Sequence, residues 1–417
     1  MSQPLLLEID QQRLQKTIDD LALISANPPP VVTRILFSEA DRHGRDFVQK
    51  LFAEAGLSGR QDSAGNIFAR WIGSEPTLPA VATGSHIDAI PNAGKFDGVV
   101  GVLGAIEAIR ALQRSGFKPK RSIEIIVFTA EEPTRFGIGC VGSRILSGAL
   151  SAEKAGALKD RDGKTMEQWR QEVGWIGSLE SVRLKKDCYS AFVELHIEQG
   201  PLLDKEKIPI GIVEKIAAPS TLQVELTGVG GHAGAVLMPG RRDALLAGAE
   251  IALSVERAAL GTGSPDTVAT TGVFQIQPGA VNSVPCQAHL EIDLRDTQVR
   301  TRDSALAEIE RCIGEICARR GVTCEVVRVA ADPPAICDPK LVALLDMVCG
   351  QLKLQAKHMI SRAYHDSSFM AQVCPTVMIF IPCREGYSHR PDEYSSPEQI
   401  KTGVTVLAHA LATLASH

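Results

Sequence analysis

Residues 80–133 read AVATGSHIDAIPNAGKFDGVVGVLGAIEAIRALQRSGFKPKRSIEIIVFTAEEP. A strand-like run at 80–86 ends on a histidine and a glycine-bordered loop follows. Apolar residues with helical spacing then fill about 98 to 115, and a second strand-like run, IEIIVFTA at 123–130, stops at paired glutamates. Strand, helix and strand in this order, the last run apolar throughout, predict an α/β body built on a mainly parallel sheet. His86 and Glu131 then fall at or just after the ends of strands, and ligands bind at the carboxyl ends of strands in open α/β sheets.

Working outward, residues 10 to 23 and 41 to 56 space their apolar positions as helices, and NIFARW at 66–71 reads as a further strand. Downstream come the strand-like FVELHIE (192–198) and the apolar PIGIVEKIAA (209–218). A different section then begins with TLQVELTG. A helix near 241–259, DTVATTGVF, AHLEIDLR, a helix at 303–320 and TCEVVRV complete it, an order that predicts a four-stranded, two-helix α+β sandwich. From about 331 the alternation of helix and strand resumes, carrying His365 and His389. The expected organisation is therefore a larger domain of residues 1–216 plus 331–417, with a smaller domain of 217–330 inserted into it. No internal repeat or low-complexity tract interrupts this pattern.

Composition narrows the function classes. A chain of 417 residues exceeds the usual size of one hydrophobic core. With 44% apolar and 22% charged residues it reads as an ordinary globular protein. A net charge of −5 argues against a nucleic-acid partner, which calls for a clustered basic surface. Ten cysteines without a C-x-x-C pair read as reduced thiols. The opening MSQPLLLEIDQQRLQ lacks the basic region, apolar stretch and cleavage site of an export signal. No stretch approaches the roughly 18 to 20 apolar residues of a membrane span; the richest, VMIFI at 377–381, is strand-sized. The expectation is a cytoplasmic protein with no membrane partner.

The chemistry-bearing residues are dispersed: His86 and Asp97 in GSHIDAIPNAGKFDG, Glu132 in AEEPTRFG, His196 in ELHIEQGP and His389 in GYSHRP. Imidazoles and carboxylates suit zinc, manganese, cobalt or nickel, and a bridging carboxylate lets two ions sit about 3.5 to 4 Å apart and acidify one water. In this reading Asp97 bridges, His86 and His389 complete opposite ends, and Glu132 and His196 supply the remaining ligands. Asp88 would accept the other N–H of His86 and fix its tautomer. A lone H-x-D or E-E pair arises by chance, whereas the five together at strand ends and glycine-rich loops point to a metal site. His43, His289, His358, His409 and His417 lack such context and read as surface or packing residues.

These blocks, with GGHAGAVLMPGRRDA, PGAVNSVP, EIDLRD, SRAYHDSSFMA and GYSHRPDEYSSPE, resemble the aminoacylase-type metallohydrolases that include N-carbamoyl-L-amino acid hydrolases, allantoate amidohydrolases and ureidoglycolate amidohydrolases. The resemblance runs from about residue 30 to 405. It implies a di-metal aminopeptidase-like catalytic domain, an inserted lid and dimerisation domain, a homodimer, and two divalent ions per subunit, manganese foremost. It also implies removal of the ureido end of a small carboxylate substrate, with Glu131 as general base and acid. His232 would stabilise the oxyanion, Arg295 would grip the substrate carboxylate, and Gln199 and Asn282 would contact substrate through their amides.

EEPTRFG, HAGAVLMP, SRAYHDS and GYSHRPDEYSSPE are most similar to the ureidoglycolate-cleaving members. That likeness implies hydrolysis of (S)-ureidoglycolate to glyoxylate, ammonia and carbon dioxide in purine-ureide breakdown. Allantoate or an N-carbamoyl-L-amino acid is the alternative substrate, and a non-catalytic binding relative the alternative class. Many carbamoylases read Thr-Pro after His-Ala-Gly, and Gly-Ala-Gly-His-Asp where this chain has Arg362-Ala363-Tyr364-His365-Asp366. Tyr364 or His365 is accordingly expected to bond the hydroxyl on the substrate's α-carbon.

Overall fold

The computed structural model describes residues 7–417; residues 1–6, which open the segment read as lacking an export signal, lie outside the described residues. The quoted stretch folds as strand Ala80–His86, helix Val99–Arg114 and strand Ile123–Phe128, and the two strands pair in parallel with His86 level with Phe128. Strand Tyr189–Ile197 runs parallel on the other side of Ala80–His86, and Thr376–Ile381 runs parallel to Tyr189–Ile197. Four parallel strands thus form the middle of a nine-stranded sheet among the described residues. Antiparallel strands flank them: Ile67–Trp71 and Ser58–Gln61 beyond Ile123–Phe128, and Ile210–Ile216 beside Thr376–Ile381.

The central strands are buried on both faces, as their apolar sequences require. Helix Val99–Arg114 packs on strands Ala80–His86 and Tyr189–Ile197 and against helix Pro397–Ala415. Close approach is possible because Gly101 has no side chain: a Cβ there would lie 2.5 Å from the Leu195 carbonyl oxygen and 2.7 Å from Ser85 Cβ. Helix Pro397–Ala415 starts on a capping box in which the Ser396 and Gln399 side chains bond each other's backbone N–H.

The chain divides into two compact units. The larger holds the chain up to Glu214, Ile336–Met359 and His365–His417; the smaller holds Lys215–Ala335 and Ile360–Tyr364. Against the expected 217–330 insertion, the smaller unit gains a few residues at each end and takes back a short piece that includes Tyr364. It carries a four-stranded antiparallel sheet in the order Val268–Gln277, Gln287–Asp296, Ala218–Thr227, Thr323–Ala331, with helices Ala244–Gly261 and Val299–Arg320. Leu222, Val224 and Leu226 alternate inward with Leu290, Ile292 and Leu294, packing on Ile251, Val255, Ile309 and Ile313 of the helices. The second helix begins at Val299, ahead of the expected 303. Short helices at Val141–Ser147, Ala152–Ala157 and Met166–Glu172 fill the span after Glu132. None of the helices among the described residues is long and apolar enough to cross a membrane.

Candidate active site

The parallel strands deliver the predicted residues to one edge of the sheet. His86 closes strand Ala80–His86, His196 lies one residue before the end of Tyr189–Ile197, Glu131 and Glu132 follow Ile123–Phe128, and His389 follows Thr376–Ile381. Asp97 sits between strand Ala89–Ala93 and the start of helix Val99–Arg114. The side chains converge on Asp97. Its Oδ1 lies 3.2 Å from His196 Nε2 and 3.8 Å from His86 Nε2, and its Oδ2 lies 3.2 Å from His389 Nε2. His389 Nε2 is 3.4 Å from Glu132 Oε1. The one carboxylate therefore belongs to two trios, His86–Asp97–His196 and Asp97–Glu132–His389.

Donor chemistry and spacing fit a pair of cations. Ligands held at about 2.1 Å in a tetrahedron lie about 3.4 Å apart, and the measured separations bracket that edge. The ring tautomers fit as well. His86 Nδ1 bonds the Asp88 carbonyl at 3.0 Å and His196 Nδ1 bonds the Ile197 carbonyl at 2.9 Å. A carbonyl only accepts, so each Nδ1 carries a proton, and each Nε2 is the nitrogen left to offer a lone pair to a cation once it is deprotonated. His389 is the half-exposed member; His86, Asp97, Glu132 and His196 are buried.

Asp88 lies beside His86 as expected, with its carboxylate 3.6 Å from the ring nitrogen Nδ1. Its backbone carbonyl, not its carboxylate, takes the closer bond from His86, and the carboxylate instead accepts the N–H groups of Glu131 at 3.3 Å and Glu132 at 3.0 Å. The buried carboxylate is thereby used to fix the turn bearing both glutamates.

Charge crowding explains the electrostatics. Burial, then the neighbouring Asp97, pushes Glu132 up to about 8, and burial pushes Asp88 up to about 7. Burial and then Glu132 raise Glu131 well above the carboxylate range. Burial opposes ionisation of Asp97, yet hydrogen bonds from His196 and His389 hold it well below its usual value. The same bonds carry both histidines up to about 9, in His196 against the effect of burial. Burial holds His86 down at about 4. Leaving several buried carboxylates ionised without a cation costs several kcal/mol each, so the cluster is built for added positive charge.

A cation needs Glu132, His196 and His389 deprotonated, and all three hold protons at neutral pH when no cation is present. Loading a stripped protein at pH 7 should therefore release more than one proton per chain, and apparent affinity should fall as pH drops from about 9 to 6. Calorimetric titration in buffers of different ionisation enthalpy measures that release. Heats independent of the buffer would contradict it.

Glu131 Oε2 is 3.6 Å from His86 Nε2, on the cation side of the ring, and the buried Cys140 Sγ–H donates to Glu131 Oε1 at 3.6 Å. Gln199 donates through Nε2 to Asp97 Oδ2 at 2.8 Å, and its buried Oε1 has no hydrogen-bond partner among the described residues. Ala130, Cys140, Gln199 and His389 all hold left-handed backbone conformations. Such strain in non-glycine residues persists where the surroundings over-determine it, as at functional sites. Gly98 shows how tight the packing is: its φ is +66°, and a Cβ would lie 2.4 Å from His86 Nε2. Gly98→Ala is expected to cost about 1–3 kcal/mol of stability and to weaken metal uptake, read by thermal unfolding and metal analysis; wild-type values for both would show the contact to be harmless.

His365 is buried, its ring edge-on to His196 with centroids 4.5 Å apart and also packed on Phe380. This location behind His196 suits holding that ring. Beside it, Glu194 accepts from Ser85 at 2.7 Å and from the Ser367 N–H at 3.2 Å, and Ser143 donates to Asp366. Cys140, Glu194 and Asp366 are not among the expected site residues, although Glu194 and Asp366 lie inside the quoted ELHIEQGP and SRAYHDSSFMA blocks; only Cys140 lies in none.

The remaining predicted residues belong to the smaller unit. His232 and Asn282 stand next to each other and exposed, since strand Gly231–His232 pairs with Ser283–Val284 and the Ala233 N–H donates to the Asn282 carbonyl at 2.8 Å. His232 Nδ1 accepts from the Gly234 N–H at 3.1 Å, which leaves Nε2–H as a donor. Arg295, on strand Gln287–Asp296, forks onto Asp293 at 2.7 and 3.1 Å and reaches the Arg362 carbonyl at 3.2 Å. Tyr364 is half-buried in the piece that returns to this unit.

A mixed sheet whose strand ends bring histidines and carboxylates around a shared aspartate defines a metallohydrolase class, and the chain belongs to Peptidase family M20/M25/M40, matched over residues 82–413. Within it, the chain is 52% identical over 413 residues to a ureidoglycolate hydrolase of Oryza sativa subsp. japonica, covering 97% of this chain and 85% of the relative. It is 53% identical over 417 residues to a ureidoglycolate hydrolase of Arabidopsis thaliana, covering 98% and 87%. The crystal structure of AtUAH in complex with glyoxylate superposes with a TM-score of 0.93 at 52% identity, over 98% of each chain. The resemblance and the fold class read from sequence are thus borne out.

Proposed function

We propose that this chain hydrolyses (S)-ureidoglycolate at its ureido carbonyl, with two divalent cations, manganese preferred, sharing Asp97. The observation that carries the reading is the division of that carboxylate, Oδ1 toward His86 and His196 and Oδ2 toward His389 and near Glu132. Substrate choice is supported by the 52–53% identity to two ureidoglycolate hydrolases over nearly the whole chain.

When bound, the cations would polarise the ureido carbonyl and acidify a water. Glu131 takes the proton of the attacking water and returns it to the departing nitrogen, a transfer worth about 10²–10⁴-fold in rate. Burial and Glu132 raise Glu131 in the cation-free site, which favours the carboxyl that acts as acid; under the added positive charge of bound cations it would fall toward the carboxylate that must first act as base. Gln199 is held by Asp97 through its amide nitrogen, so its unpartnered Oε1 faces an N–H donor of the ureido group. His232 offers an Nε2–H to the oxyanion, Arg295 and Asn282 contact the substrate carboxylate end, Tyr364 bonds the α-hydroxyl, and His365 steadies His196. The small unit acts as lid and dimerisation domain of a homodimer. Ureidoglycolate and one water give carbamic acid, which falls to ammonia and carbon dioxide, and hydroxyglycine, which loses ammonia to leave glyoxylate.

The test adds manganese, zinc, cobalt or nickel to stripped protein and follows ammonia and glyoxylate from (S)-ureidoglycolate, allantoate and N-carbamoyl-L-amino acids. Glyoxylate from ureidoglycolate, with the highest kcat/KM of the panel and dependent on added metal, is expected. Preferred turnover of an N-carbamoyl amino acid would overturn the substrate, and metal-independent turnover the mechanism.

A further inference from the structure

We propose that Glu393 is a positioning residue that ties the loop bearing Asp97 to the loop bearing His389, so that Asp97 can be shared between two cations. The inference rests on the two-cation reading above. Glu393 is buried, and its Oε1 accepts the N–H groups of Phe96 at 2.9 Å and of Asp97 at 3.1 Å. Its Oε2 accepts the hydroxyl of Ser388, the neighbour of His389, at 2.9 Å. A single side chain therefore holds the backbone at one candidate ligand and the residue next to another, nearly three hundred positions apart in the chain.

The contacts also decide where one proton goes. Ser388 Oγ lies 2.9 Å from Glu393 and 3.3 Å from Asp97 Oδ2, and it has a single hydroxyl proton. The shorter bond draws that proton to Glu393, which leaves Asp97 Oδ2 to the Gln199 amide and to a cation. His389 holds a left-handed backbone at φ +59°, which persists only where its surroundings over-determine it, and Glu393 supplies one of those constraints. Gly94 keeps the path open, since a Cβ there would lie 2.4 Å from Glu393 Cβ. No lysine, arginine or histidine forms an ion pair with Glu393 among the described residues, so its buried carboxylate is held by these three donors.

The experiment titrates chelator-stripped wild-type protein and the Glu393→Ala, Glu393→Gln and Gly94→Ala variants with cobalt, reading stoichiometry and affinity by calorimetry and coordination by visible absorption. Wild type should take two cobalt ions per chain. Glu393→Ala should bind at least one of them roughly 10- to 100-fold more weakly, with altered bands. Glu393→Gln, whose amide oxygen still accepts both N–H groups but whose NH₂ would turn the Ser388 proton toward Asp97, should recover only part of the loss. Gly94→Ala displaces the carboxylate without changing any charge and should weaken binding likewise; should Glu393→Ala not fold, this variant alone decides. Folded variants with wild-type affinity and spectrum would overturn the clamp alone, whereas a wild type that binds no cobalt would overturn the two-cation reading and the clamp with it.

Discussion

Glu131→Gln is expected to lower kcat for (S)-ureidoglycolate by about 10²- to 10⁴-fold while the folded protein still takes up two cations. The amide keeps the size of the side chain and can still accept from Cys140, so the buried pocket need not rearrange. It also removes a buried acid crowded by Glu132, so the folded state should not be destabilised. What disappears is the ability to take a proton and give it back. Steady-state kinetics with metal analysis of the same sample separates this role from ligation: a drop in metal content would make Glu131 a ligand, and an unchanged kcat would remove it from the reaction.

Asp97→Asn should act earlier and more completely. An amide presents one acceptor oxygen in place of two, and its NH₂ group would point at either the His86–His196 pair or at His389 and Glu132. The variant should lose bound metal and show no measurable turnover, and adding manganese should not restore it. It also removes the charge that holds His196 and His389 at about 9, so both rings should become neutral at lower pH, visible by NMR of the stripped protein. Retention of two cations by Asp97→Asn would mean that the two trios do not depend on a common carboxylate.

Much of this site can be read in the chain because strand ends gather it. His86, Asp97, Glu131 and Glu132 all fall within one strand–helix–strand span, and parallel pairing sends its two strand ends to the same edge. His196 followed from the strand-like run around it. The partition of ligands, His86 with His196 and Glu132 with His389, depends on which oxygen of Asp97 each faces, and no spacing encodes that. Asp88 illustrates the same limit: two-residue spacing suggested a carboxylate beside His86, and one lies 3.6 Å from its ring, but that the shorter bond goes to the Asp88 carbonyl is encoded in no spacing. Asp366 and Glu393 lie inside the quoted blocks SRAYHDSSFMA and GYSHRPDEYSSPE and Cys140 in none, but what each does depends on contacts that no block spells out, with Ser143, with Phe96 and Asp97, and with Glu131. Short helices such as Met166–Glu172 escaped because fewer than two turns establish no period. In the small unit, alternating apolar strands and two amphipathic helices made the sandwich legible, while the return of Ile360–Tyr364 to it was not, since five residues carry no pattern of their own.

The most direct measurement is anomalous diffraction from a crystal grown with manganese. Two anomalous peaks should appear on either side of Asp97, one against His86 and His196, the other against Glu132 and His389. A single peak that leaves one of these trios bare, or peaks away from Asp97, would contradict the account.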